Sequence, residues 1–311
     1  MDKKAKKFLI FSGLTVAGMH LFNKYVSYTN SLQNKTKDPE DLFYETKNGK
    51  VFYKKHGEGT PILLIHDVSC DTSSYEWYNN IEGLSKDHSV YVIDLLGCGK
   101  SDKPNIQYVA FLYVQMISNF IKDIIGEEVD VVTSGDSFAI AAFAKTMKDS
   151  CIKSIIAINP PKYHAASIDP GIREKAIHRI VDMPILGTFI YNISNTSYAT
   201  NKRISEKYYE NSNNVSSNLM DCFYEMSHAS DGNGKYLYAS TLSNYTDSDI
   251  MIALPKLLDA DITIISNINT DYEEYKKVLP NIKLTEIDYG KKKPQMEYPE
   301  KINELILESL A

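Results

Sequence analysis

The sequence predicts an α/β protein: a mostly parallel, doubly wound sheet interrupted by a helical insertion. Short apolar runs rich in β-branched residues recur at Pro61–Ile65, Val90–Ile93, Val129–Val132 and Ile155–Ile158. Each is too short for a helix and reads as a buried strand. Helical patterns stand between them at Tyr75–Leu84, Val109–Ile125 and the alanine-rich Phe138–Met147. Such alternation means βαβ units with helices on both faces of the sheet. It stops over Pro160–Ser248, which is helical in pattern and rich in Asn and Ser. It resumes with Ile262–Ile265, Tyr272–Val278, Ile282–Ile287 and Pro299–Leu310. A break of about 90 residues far exceeds an ordinary connection.

The chain begins with Lys3, Lys4, Lys6 and Lys7, followed by the apolar run Phe8–Phe22. A basic flank before an apolar stretch is a targeting or anchoring pattern. No A-x-A-like cleavage site follows, so the expectation is an uncleaved hydrophobic anchor helix. Extended to Val26, the run approaches the roughly 20 residues a membrane span needs. The body would then lie outside the cytoplasm. The alternatives are a cleaved signal, giving a secreted protein, and a helix packed on the body or lying on the membrane surface. The expected organisation is residues 1–30 as basic flank and anchor and 31–41 as linker. Residues 42–160 form the first part of the core, 161–248 the helical insertion and 249–311 the second part of the core. The core opens with a hairpin, because Phe43–Thr46 and Val51–Lys55 flank Asn48-Gly49.

Charge narrows the partners. The net charge is -6 over 311 residues. Met1–Lys7 carries four lysines against Asp2, or +3, which leaves -9 for the rest. An acidic body with only 3 arginines argues against nucleic acid. Cys70, Cys98, Cys151 and Cys222 lie far apart, without zinc spacing, and read as buried thiols. No metal or cofactor is expected.

Three segments then carry a resemblance. Leu63-Leu64-Ile65-His66-Asp67-Val68 resembles the strand and HG-x turn of α/β-hydrolase-fold proteins, with Asp67 in place of the glycine. Asp94-Leu95-Leu96-Gly97-Cys98-Gly99-Lys100-Ser101-Asp102-Lys103-Pro104 matches that family's D-x-x-G-x-G-x-S-D-x-P stretch. Its glycines serve a tight loop and form no nucleotide-binding fingerprint. Pro294-Gln295-Met296-Glu297-x-Pro299 resembles the entry to the family's last helix. The resemblance covers about residues 42–160 and 250–311, with the insertion where the family carries a helical cap. Met183–Thr188 resembles the start of caps in haloperoxidase- and dehalogenase-like members.

The resemblance implies a nucleophile at G-x-S-x-G, on the sharp turn between the fifth strand and the next helix. Two registers fit Val131–Ala139. Gly135-Asp136-Ser137-Phe138-Ala139 makes Ser137 the nucleophile, whereas strand length puts Thr133 at the first glycine and Gly135 at the nucleophile. Asp136 as a dehalogenase-type nucleophile is a third reading, and Ser137 also suits a helix N-cap. With Ser137 at the tip, the backbone N–H groups of Val68 and Phe138 would hold the oxyanion.

The family's histidine is missing. All seven histidines precede residue 229, and Lys292 stands where the histidine belongs. A lysine needs a large downward pKa shift to act as base near neutrality. A solvated basic loop is the plainer reading. His228, inside the insertion, is the alternative base. Asp271 is available as the acid, although Asn269 is nearer the usual spacing, and Asn159-Pro160-Pro161 after the sixth strand offers no carboxylate.

Two functions follow as expectations. One is a serine hydrolase of a small ester, amide or lipid-like substrate, with its base unidentified. The other is a non-catalytic member that keeps the fold for binding or scaffolding. Either would take a small-molecule substrate or ligand; the sequence says nothing about oligomeric state.

Overall fold

A computed structural model describes residues 2–33, 35–36, 38–161, 170–267 and 272–310. The chain opens with the long helix α1 (Lys3–Ser31) and the hairpin of β1 (Leu42–Thr46) and β2 (Gly49–His56). β3 (Thr60–Ile65), the short α2 (Ile81–Leu84), β4 (His88–Ile93), α3 (Ala110–Phe120), β5 (Val129–Ser134), α4 (Ser137–Lys145) and β6 (Ile152–Ile158) follow. The insertion contains α5 (Ile172–Asp182), α6 (Leu186–Ser194), α7 (Ser197–Arg203), α8 (Ser217–His228) and α9 (Gly234–Leu242). The chain returns through α10 (Ile250–Ala253), β7 (Asp261–Asn267), α11 (Tyr272–Val278), β8 (Lys283–Ile287), α12 (Pro294–Glu297) and α13 (Pro299–Leu310).

The strands form one eight-stranded sheet in the order β1-β2-β4-β3-β5-β6-β7-β8. Only β2 runs against its neighbours. Strand residues alternate between two buried faces, as the period of two requires. Leu63, Ile65, Val131, Ile155 and Ile264 face α3 and α4 in one core. Ile62, Leu64, Val132, Ile156 and Ile265 face Trp77, Leu84, Ile302 and Ile306 in the other. Burial on both faces explains why the strands read as continuous apolar runs rather than as alternation.

Register places the important turns. Ile65 at the end of β3 pairs with Thr133 of β5. Two residues further on, Asp67 therefore stands beside Gly135. At the ends of β6 and β7, Ile158 pairs with Ile265. Asn159 and Asn267 follow there and bind the loop after β8. Asn159 Nδ2 donates to Lys291 O at 2.9 Å, and Asn267 Nδ2 to Gly290 O at 2.8 Å. All of these turns lie at the C-terminal edge of the parallel strands, the usual location of sites in open α/β sheets.

The loop after β4 is built around the buried carboxylate of Asp94. It accepts the backbone N–H groups of Ser74 at 2.6 Å and Lys100 at 2.7 Å. Gly99 has φ +48, and a Cβ there would sit 2.0 Å from Asp94 Oδ2. Gly99→Ala is therefore expected to lower stability by about 1–3 kcal/mol from backbone strain alone, with the clash added. Thermal melts of the two proteins check it, and an unchanged melting temperature would show that the loop does not depend on this packing.

Candidate functional site

The site lies where the turns after β3 and β5 meet the loop after β8. The tip of the turn after β5 is Gly135, with φ +59. This left-handed tip is the strained position that a nucleophile elbow presents. The left-handed turn falls at Gly135, the position the strand-length register gives, and Ser137 stands two residues further on at the start of α4. Ser137 is 0% exposed. Its hydroxyl accepts the Ser134 N–H at 3.1 Å and lies 2.9 Å from Ser134 O and 3.3 Å from Ile65 O. It ties β3 to β5 beneath the turn.

The oxyanion donors shift with the register. Phe138 N–H is spent on Gly135 O at 3.2 Å. The N–H after the tip belongs to Asp136. Asp136 and Val68 point their N–H groups at one place, and Asp67 Oδ1 occupies it, at 2.9 Å from each nitrogen. The same oxygen lies 2.5 Å from where a Cβ on Gly135 would be. The carboxylate of Asp67 thus fills both the space of a nucleophile side chain and the hole that would receive an oxyanion.

The other carboxylate oxygen meets the loop after β8. Asp67 Oδ2 accepts from Lys292 Nζ at 2.8 Å and from Lys293 Nζ at 3.3 Å. Lys293 is fully buried and also pairs with the buried carboxylate of Glu76. Its ammonium lies 5.1 Å from the centre of the Tyr208 ring. Gln295 Nε2 donates to Ser134 Oγ at 2.9 Å, closing the network against the turn. Two carboxylates and two ammoniums balance, which a buried cluster requires.

The electrostatics follow. Burial alone would raise the Asp67 carboxyl, but Lys292 and Lys293 override it and hold it well below the usual carboxylate range. Asp67 in turn holds the Lys292 ammonium above its ordinary value, against partial burial. The Lys292 side chain is 50% exposed, yet its head group sits on a buried carboxylate. The solvated basic loop expected from the sequence is corrected: Lys292 and Lys293 both turn inward. Asp136 is the remaining carboxyl, pushed up to about 6 by burial and by the adjacent Asp67. Its side chain still reaches solvent, which moderates that shift.

Two further candidates lie elsewhere. His228 is buried in α8, where Nδ1 lies 3.1 Å from Tyr224 O and 2.9 Å from Ser227 Oγ. Its ring packs on Tyr224 and Tyr191, and burial pushes it down to about 4. These partners all belong to the helical insertion. Asp271 lies outside the described residues. Among groups the sequence did not single out are Glu76 and Asn267, and Lys293 read only as part of the basic loop. Asn159 stands at the family's alternative acid position and carries an amide that holds the lysine loop.

His66 is structural. Its Nε2 accepts the Leu95 N–H at 2.9 Å, and Nδ1 lies 2.7 Å from Asp67 O. With Nε2 accepting, Nδ1 is the nitrogen that faces the Asp67 carbonyl as donor. The insertion closes over the same turn, where Arg203 pairs with the buried Asp71 at 2.9 Å. A cleft of about 600 Å³ lies on the insertion beside Tyr198, Glu206 and Lys291. A groove of about 1170 Å³ lies beside Tyr75, Tyr78, Tyr209 and Met296. Neither is lined by Asp67, Gly135 or Asp136.

Two outcomes follow. Lys293→Met strands Glu76 in the core and should cost about 3–5 kcal/mol, read by denaturant unfolding. A loss within a few tenths of a kcal/mol would mean that the pair is not buried. For Asp136, a folded carboxyl at about 6 against 3.8 unfolded means stability falls as pH rises from 3.8 through 6. Asp136→Asn should therefore gain on the wild type above pH 6, with the difference vanishing below 3.8. A difference independent of pH would contradict this.

The family model described as the alpha/beta hydrolase fold matches residues 56–170. A 2-hydroxy-6-oxo-6-(2'-aminophenyl)hexa-2,4-dienoic acid hydrolase of Metapseudomonas resinovorans is 35% identical over 71 residues, 22% of this chain and 24% of that protein. A proline iminopeptidase of Heyndrickxia coagulans is 29% identical over 123 residues, 38% of this chain and 42% of that protein. The matches thus span well under half the length of these curated relatives. Among solved structures, a serine hydrolase involved in carbazole degradation superposes with a TM-score of 0.69 at 15% identity, covering 87% of this chain and 98% of that one. The sheet order, the turn geometry and these matches agree: the chain has the α/β-hydrolase fold.

Proposed function

We propose that the protein is a non-catalytic binding or scaffolding member of the α/β-hydrolase-fold superfamily. The observation that carries the reading is the Asp67 carboxylate between the Val68 and Asp136 N–H groups. A hydrolase aims these donors at charge that develops in the transition state. Here a permanent negative charge already satisfies them. Substrate carbonyls would have to displace a carboxylate held by two backbone donors and two ammoniums.

The remaining chemistry is unfavourable. The tip residue, Gly135, has no side chain to attack with. Lys292 stands at the base position as a stabilised ammonium and cannot accept a proton near neutrality. Asp67 is itself a carboxylate at the nucleophile's place, as in carboxylate-dependent displacement chemistry. Its depressed basicity and its four hydrogen bonds make it a poor nucleophile. A serine hydrolase working through Ser137 would require a buried hydroxyl to leave its partners on β3 and β5. The hydrolase relatives support descent from working enzymes, and the altered positions support loss of the chemistry.

The test is a fluorophosphonate probe, which labels activated serines. The wild type should remain unlabelled at neutral pH. Gly135→Ser alone should also remain unlabelled, because its Cβ would strike Asp67. The triple variant Asp67→Gly, Gly135→Ser, Lys292→His should gain labelling, because it restores tip, hole and base together. Labelled wild type that loses the label in Ser137→Ala or Ser134→Ala would overturn the proposal.

A further inference from the structure

α1 is one helix with two environments. From Phe22 onward it is packed on the insertion. Phe22 meets the Phe189 ring edge-on, with centroids 5.4 Å apart. Asn23 Nδ2 donates to Ile185 O at 3.0 Å, Asn192 Nδ2 donates to Asn23 Oδ1 at 3.0 Å, and Asn30 Nδ2 donates to Glu225 O at 3.2 Å. Val26 is buried there. The apolar run therefore cannot extend to Val26 as a free segment, which corrects the length the sequence suggested.

Ahead of Phe22 the large apolar side chains stand free. Phe8 is 70% exposed, Phe11 71%, Leu14 68% and Leu21 69%, with Leu9 and Ile10 exposed between them. Phe8 to Phe11 are consecutive, so at 100° per residue they point in four directions. A partner helix or a protein groove covers one stripe of a helix. A helix apolar on all sides needs an apolar medium on all sides. The charge pattern identifies that medium. Lys3, Lys4, Lys6 and Lys7 lead the helix, and no Asp or Glu occurs from Lys3 to Lys37. Basic clusters of this kind seek anionic headgroups.

A second observation lies at the root of α1. Ile180, Met183 and Ile193 of the α5–α6 region are exposed. Met183 precedes Ile185, which holds Asn23, and Ile193 follows Asn192, which holds it too. Apolar side chains thus collect beside the point where the free helix leaves the body.

Phe8–Phe22 spans about 22 Å at 1.5 Å per residue, short of the ~30 Å hydrocarbon layer. Among the described residues no helix is long and apolar enough to cross a membrane. We infer that the free half of α1 embeds in an anionic lipid bilayer, with its lysines at the headgroups and the α5–α6 surface resting on the membrane. The inference does not depend on the chemistry at Asp67.

Flotation of the full-length protein tests it, with phosphatidylcholine vesicles and with mixed phosphatidylcholine–phosphatidylglycerol vesicles. The wild type should float with the mixed vesicles and less with the neutral ones. The double variant Phe11→Asp, Leu14→Asp should lose roughly tenfold or more in partitioning. Its melting temperature should not change, because those side chains are largely exposed ahead of the packed half of the helix. Changing the four lysines to Gln should abolish the preference for anionic vesicles. Met183→Asp should weaken binding measurably. Wild type that stays unbound with both vesicle types would overturn the inference, as would a double variant that floats like wild type. Self-association in place of vesicle binding, lost in the same double variant, would assign the helix to a second copy of the chain.

Discussion

Four charges in one largely buried cluster organise the site. Asp67, Glu76, Lys292 and Lys293 come from the turn after β3, the segment behind it and the loop after β8. Asp67, Glu76 and Lys293 are buried, and none of these three is tolerable there alone. An uncompensated carboxylate or ammonium at that depth would be driven to neutralise or to reach water. Together they balance, two backbone N–H groups and Gln295 Nε2 supply further donors to the carboxylates, and Gln295 Oε1 is left without a partner. A buried network of this kind depends on keeping its charges paired. That condition fixes where the β8 loop lies, and Asn159 and Asn267 hold its backbone in place from the ends of β6 and β7.

The departures from the family pattern depend on one another. Asp67 replaces the turn glycine and brings a carboxylate to the edge of the sheet. That carboxylate fits only because Gly135 has no Cβ, which would lie 2.5 Å from Oδ1. Its charge is bearable because Lys292 stands where the family has histidine and Lys293 follows it. On the proposed non-catalytic reading the three departures act as one: the nucleophile's volume, the oxyanion's charge and the base's position are all refilled from within the chain. Loss of catalytic groups alone would leave a vacant hole, with orphaned N–H groups at about 1–3 kcal/mol each. Here those donors are satisfied.

The fold was readable because it depends on local patterns. Strand runs, the Asn48-Gly49 hairpin and the interruption by helices all appear at short range, and β3 to β6 lie where the apolar runs placed them. Tyr75–Leu84 was less regular than its pattern. It forms a single 3-10 turn at Ser74–Trp77 before α2, because Asp94 captures the Ser74 N–H. The site was readable only in part. Gly135-Asp136-Ser137-Phe138-Ala139 has the right residue types in a row, but the turn falls where β5 ends, and β5 runs to Ser134. Strand length, not motif spelling, set the register. Asp67 and Lys292 were each visible as oddities. Their meeting was not, because 225 residues separate them and only the sheet register brings them together. Glu76 gave no signal, and Lys293 read only as one charge of a solvated loop, since a Glu and a Lys in polar surroundings normally face water.

The turn after β3 has a second task four residues beyond Asp67. Asp71 is buried and pairs with Arg203 of α7, so the insertion is tied to the core next to the plug. On its other side the insertion is tied to α1 through Asn30, which donates to Glu225 O at 3.2 Å, and to the segment after α1, where the Glu225 carboxylate accepts the Lys35 N–H at 3.0 Å and the Thr36 hydroxyl at 2.7 Å. Held by a buried carboxylate on one side and by a long helix on the other, the insertion links the sheet to α1. The orientation of the whole α/β body is then set by whatever environment takes up the free half of that helix.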